Sequence, residues 1–252
     1  MLYLKQIFAF ETKKEYEKYQ ELIGEFTKKL DKYQLILENQ FELKNKPKGI
    51  VWTSKELATS VFSDVPIPAF TNKDIIYFSP DLSSWKSLFI KQLEGEEQPE
   101  IKRFYENMSE KQLFTIVGHE LTHHSDLFLD DFDDDREGGI WFEEGMCDYI
   151  SRKYILDQEE FNSITNIELQ LVALFKNKYG NHPLEDFGSA SYEGSLTSIM
   201  FDYWRSFLAI KYLVEQKANN DIKYIFNEYQ NWHNEGRKKS LTSHFKIEDL
   251  FN

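Results

Sequence analysis

The sequence predicts an α+β protein with a small mixed sheet near the N-terminus and a mostly helical C-terminal part. Three observations carry this. Tyr16, Tyr19, Leu22, Ile23, Phe26, Leu30 and Tyr33 recur at steps of three and four, the spacing of one helix face. Two short runs, in KPKGIVWTS and DIIYFSPD, are rich in β-branched and aromatic residues and bounded by Pro, Gly, Asn or Asp. Later segments such as SFLAIKYLVEQKA and DIKYIFNEYQNWH carry helical periodicity.

Taken in order, MLYLKQIFAF reads as the start of a strand or helix, and it lacks the small-residue cleavage site of a signal peptide. The periodic run to Tyr33 follows, then the KPKGIVWTS strand, a Pro-containing loop at VPIPAF, and the strongest strand at DIIYFSPD. GEEQPEIKR reads as a charged loop. After it, Ser109 and Gln112 form an S-x-x-Q capping box with Met108 and Leu113 as the hydrophobic staple, so a helix should begin near Glu110. The organisation expected is an α/β part over 1–106, carrying a candidate edge strand, and a helical part over 107–252, together one compact unit.

Composition limits the function. With 252 residues, 41% hydrophobic and 16% aromatic, the chain can build a sizeable core. A net charge of −13 argues against nucleic-acid binding. No run of 18 apolar residues occurs, so no membrane span is expected. The single cysteine, Cys147, excludes an intramolecular disulfide and fits a reducing, cytoplasmic setting. Nothing in the sequence sets the oligomeric state.

VGHELTHHSD carries the chemistry. His119 and His123 are four apart, so a helix projects both imidazoles from one face, while His124 is rotated by about 100° from His123. Glu120 stands between them, where a carboxylate can reach a metal-bound water. This is the H-E-x-x-H pattern of a zinc site, to be weighed against a chance match. A catalytic zinc needs a third protein ligand and an open position. WFEEGMCDY offers Glu144, with Asp148 one turn on to accept the N–H of a ligand histidine. The bland reading is that Glu143 and Glu144 are an exposed acidic pair at a helix N-terminus.

HELTH followed by WFEEGMCDY resembles the gluzincin zinc metallopeptidases, of the aminopeptidase N and clostridial-collagenase types, whose third ligand lies in a W-x-x-E-G-x-A-x-Y segment. The resemblance implies a zincin-like (thermolysin-like) catalytic fold. It also implies zinc on His119, His123 and Glu144, Glu120 as catalytic base, and a peptide or protein substrate. Cys147 stands where those families carry alanine and reads as a packing residue, with a metal ligand as the minority reading. YWRSFLAIKYLVEQ looks like the family's later tyrosine helix, which makes Tyr203 the candidate oxyanion donor. Tyr192 is the second choice, Arg205 and His182 rank below it as donors, and a core role for Tyr203 stays open. SLTSHFKIEDLF resembles the short terminal helix of such domains, which would complete the catalytic unit. There is no G-x-M-E-N segment, so exopeptidase action lacks support. The specific likeness spans about residues 109 to 150, with a looser extension to 252. The competing classes are a catalytically silent zincin-fold protein acting as a regulatory or binding module, and a purely structural metal site.

Three other features stand out. DDFDDDREGG lacks the register of a calcium loop and reads as a solvated connection between the two site helices. DIIYFSP is the candidate edge strand for pairing with a substrate backbone. His233 and His244 read as surface residues.

Overall fold

A computed structural model describes residues 4–132 and 138–251. The architecture is α+β, with a four-stranded mixed sheet and ten α-helices among the described residues. The chain divides into two compact units, Met1–Phe128 with Ser151–Leu156, and Leu129–Ile150 with Asp157–Asn252.

The first unit holds the sheet. Strand β1 (Lys5–Ala9) is followed by the long helix α1 (Lys13–Gln40), β2 (Gly49–Thr53), α2 (Lys55–Ser60), β3 (Ala69–Thr71) and β4 (Ile75–Phe78). The strand order is β1-β2-β4-β3, with β1, β2 and β4 parallel and β3 antiparallel to β4. Helix α1 forms because its apolar face, including Ile23, Phe26, Leu30, Tyr33 and Leu37, is buried along its length, and Thr12 caps its first turn. Phe26 packs against Trp52 and Phe78 of the sheet, with ring centroids 6.4 and 6.3 Å away, and against Phe114 at 5.2 Å. Asn72 closes the β3–β4 turn by accepting from the backbone N–H groups of Asp74 and Ile75.

Helices α3 (Leu82–Lys91), α4 (Pro99–Glu106) and α5 (Glu110–Thr122) complete this unit, with the last part of α6 (Ile140–Ile155). Two expectations change here. The expected loop GEEQPEIKR contains the start of α4, because Pro99 occupies the first helical turn, where its missing N–H costs nothing. DIIYFSP is not an edge strand: β4 is paired on both sides, and the edges are β1 and β3, the latter formed at the end of the expected VPIPAF loop.

The second unit is helical. It holds most of α6, then α7 (Gln158–Tyr179), α8 (Leu196–Tyr212), α9 (Ile222–Asn234) and α10 (Leu241–Phe245). Asp157 and Glu160 form a capping box at the start of α7. Phe161 and Phe175 of α7 meet Phe207 and Trp204 of α8, and Phe142 stacks on Tyr229 at 4.3 Å. No described helix is long and apolar enough to cross a membrane.

Candidate metal centre

Helix α5 begins where the sequence places it. Ser109 Oγ accepts from Gln112 N at 3.1 Å and Gln112 Oε1 accepts from Ser109 N at 2.8 Å, closing the capping box. Leu113, Phe114, Val117 and Leu121 are buried, so the helix is anchored by its apolar stripe. Gly118 lets it approach its neighbours closely. A Cβ there would stand 2.7 Å from Ile155 Cδ1 and 3.4 Å from both Ser151 Cβ and Tyr33 Cε1. These residues all belong to the first unit, so α5 is set there against the C-terminal part of α6.

Thr122 Oγ donates its one proton to the Gly118 carbonyl, so the 2.7 Å contact with Tyr33 is a bond that Tyr33 donates. Helix α5 ends at Thr122, and the chain beyond is pinned. Ser125 Oγ donates to the Phe41 carbonyl, and Asp126 accepts from the backbone N–H groups of Lys44 and Asn45 at 2.7 and 3.2 Å. The site helix is therefore braced at both ends.

His119 and His123 turn their Nε2 atoms toward each other at 3.1 Å, with the rings 71° apart. Two lone pairs facing at that distance repel unless a proton or a cation lies between them. Zinc bonds of about 2.0–2.1 Å in a tetrahedron separate neighbouring donors by about 3.3 Å, close to this spacing. Glu144, from α6, joins them: the ligand atoms offered by His119, His123 and Glu144 all lie within 4.8 Å of one another. All three side chains are buried, as is Glu120 at 7% exposure. This donor set could hold a metal ion, and buried imidazoles beside a carboxylate are what such an ion requires.

Helix α6 carries Glu144 because its first turn is fixed by Trp141 and Phe142, both fully buried. Gly145 faces α8, where a Cβ would stand 2.7 Å from Ile210 Cγ1 and closer still to the Ser206 carbonyl oxygen. Glu144 is thus one of a buried row and not an exposed acidic pair; Glu143 beside it is 4% exposed. Asp148 lies one turn after Glu144, half-buried. Cys147 is buried on the same helix and is not part of the metal-ligating group.

Tyr192 Oη donates to Glu144 Oε1 at 3.2 Å and lies 2.9 Å from Tyr203 Oη. The two candidate oxyanion donors are thus paired with each other, and Tyr192 reaches Glu144 of the candidate donor group. Arg205 and His182 are committed elsewhere. Arg205 binds Asp202 at 2.5 Å and donates to the His182 carbonyl at 2.9 Å, and His182 Nε2 lies 2.9 Å from Asp202. Both line a cavity of about 330 Å³ in the second unit.

His124, beyond the end of α5, is not part of the candidate donor group. Its Nε2 lies 2.8 Å from Thr71 Oγ on β3. Burial, then the neighbouring His123, pull its pKa down to about 3 against an opposing pull from Asp74, so it is neutral at pH 7. His244 is not a surface residue: its side chain is 9% exposed and Nε2 lies 3.4 Å from Glu228. His233 is half-buried. The acidic run expected between the site helices falls largely on residues 133–137, which lie outside the described residues. Sequence reasoning missed the Thr71 contact, the Tyr33 brace and the Tyr192–Glu144 bond. Each joins residues at least 48 positions apart, and no local pattern signals it. No protein-family model, curated protein or solved structure matches the chain.

Proposed function

We propose that the protein is a zinc-dependent peptidase of gluzincin type with a zincin-like fold, acting on a peptide or protein. One observation carries this reading. Two imidazole nitrogens and a carboxylate lie within 4.8 Å of one another, and Glu120, between the two histidines in sequence, is buried. His119, His123 and Glu144 hold the ion. When bound, zinc supplies Lewis-acid polarisation of the scissile carbonyl and lowers the pKa of water.

Glu120 accepts the proton of the attacking water and delivers it to the leaving amine. Tyr203 donates a hydrogen bond to the oxyanion, an interaction worth about 3 kcal/mol. Asp148 orients a ligand imidazole through its N–H. Edge strand β3, whose Thr71 meets His124 just beyond the end of α5, offers an extended peptide a backbone to pair with. The single cysteine supports a reducing, cytoplasmic setting.

Metal analysis followed by digestion of a diverse peptide library, with and without chelator, tests the proposal. Bound zinc and chelator-sensitive cleavage are expected, and Glu120→Gln should keep the metal while losing turnover by about 10²-fold or more. Cleavage that survives Glu120→Gln would remove the base assignment. A second reading, a catalytically silent zinc protein acting as a binding module, is favoured by the burial of all four site residues at 6–7% exposure. Zinc bound without cleavage of any library peptide would establish it.

A further inference from the structure

We infer that Tyr192 is a positioning residue for the metal ligand Glu144, holding its carboxylate by a donated hydrogen bond and orienting the Tyr203 hydroxyl at the same time. The inference rests on the metal-site reading proposed above.

The direction of the bonds follows from proton counting. Glu144, as a ligand, is a carboxylate and can only accept. The one Tyr192 hydroxyl proton therefore goes to Glu144 Oε1, at 3.2 Å. The 2.9 Å contact between the two tyrosine oxygens is then donated by Tyr203. The chain runs from Tyr203 to Tyr192 to Glu144. A carboxylate offers about four lone-pair sites, so accepting this bond leaves Glu144 able to ligate.

The arrangement is built and not incidental. Tyr192 sits in a 3-10 turn, Ser189–Glu193, that connects to α8. Phe187, 1% exposed, lies beneath both tyrosines, with ring centroids 5.2 Å from Tyr203 and 6.0 Å from Tyr192. Packing thus sets both rings, and the hydroxyls meet over the ligand. Two consequences follow. Glu144 loses rotational freedom before the ion binds, which raises affinity. The Tyr203 proton, aimed at Tyr192 in the resting site, must swing away to serve an oxyanion, so Tyr192 governs where that proton rests.

The test is zinc affinity, measured by competition with a chromophoric chelator, together with the rise in Tm that zinc produces. Tyr192→Phe keeps the ring on Phe187 and removes only the donor. It should weaken zinc by about 10–100-fold, as loss of a hydrogen bond to a metal ligand does, and shrink the zinc-induced rise in Tm. Tyr203→Phe leaves the Tyr192–Glu144 bond in place and should weaken zinc by less than Tyr192→Phe. A purely structural tyrosine would lower the Tm of the chelator-treated and zinc-loaded protein equally and leave affinity alone. A loss under about tenfold for Tyr192→Phe, or a larger loss for Tyr203→Phe, overturns the inference while the metal site stands. A wild-type protein that binds no zinc removes both.

Discussion

Gly145 stands beside Glu144, at a close approach of α6 to α8. Its absent side chain leaves room for the Ser206 carbonyl and for Ile210. Backbone cannot retreat as a side chain can, so Gly145→Ala should destabilise the protein by about 1–3 kcal/mol, read as a lower urea midpoint. Gly118→Ala should cost less, since the nearest atom there is the flexible end of Ile155. Equal midpoints for Gly145→Ala and wild type would show that α8 is not held at this distance. The same residue-level economy governs the hydroxyls. Tyr33, Thr122, Tyr192 and Tyr203 each have one proton, and the acceptors around them fix where it goes.

At the scale of elements, the helices are defined by their ends. Asp81 caps α3, accepting from Ser83 N at 3.0 Å and from the hydroxyls of Ser83 and Ser84 at 2.6 and 2.5 Å. Burial pushes the Asp81 carboxyl up, but the combined Ser83 and Ser84 bonds outweigh it and leave its pKa below the usual 3.8. A depressed carboxyl contributes stability above its unfolded value and loses it as pH falls through the folded one. Asp81→Ala should therefore cost about 1 kcal/mol at pH 7, and the difference from wild type should shrink well below pH 4. A gap that stays constant into strong acid would contradict the ionised cap. In the sheet, antiparallel β3 takes one edge and leaves β4 inside, which brings Thr71 rather than β4 to His124.

Across the whole molecule, α6 is the element shared by both units, its Glu144 in one and its last turn in the other. An ion on His119, His123 and Glu144 would add its binding free energy to the folded state. Removing it should lower Tm, and free zinc at about 1,000 times its dissociation constant would restore about 4 kcal/mol. Calorimetry of chelated and zinc-loaded protein measures this. Identical Tm values would mean that the site holds no ion under those conditions.

The sequence by itself determined the features that rest on local rules. The α1 periodicity, the β2 and β4 runs, the Ser109–Gln112 box and the four-residue spacing of His119 and His123 all depend on neighbours within a turn or two. It also marked Glu144 and Asp148 as one turn of a single helix. Tertiary structure alone decided what these meet. Edge strand β3 is three residues long and was hidden in a Pro-containing loop, because pairing with β4 and not propensity makes it a strand. Glu144 became part of a buried donor set, and Tyr192 became its partner, through packing of residues far apart in the chain. Long-range burial sets those contacts, and no periodicity in one sequence records it.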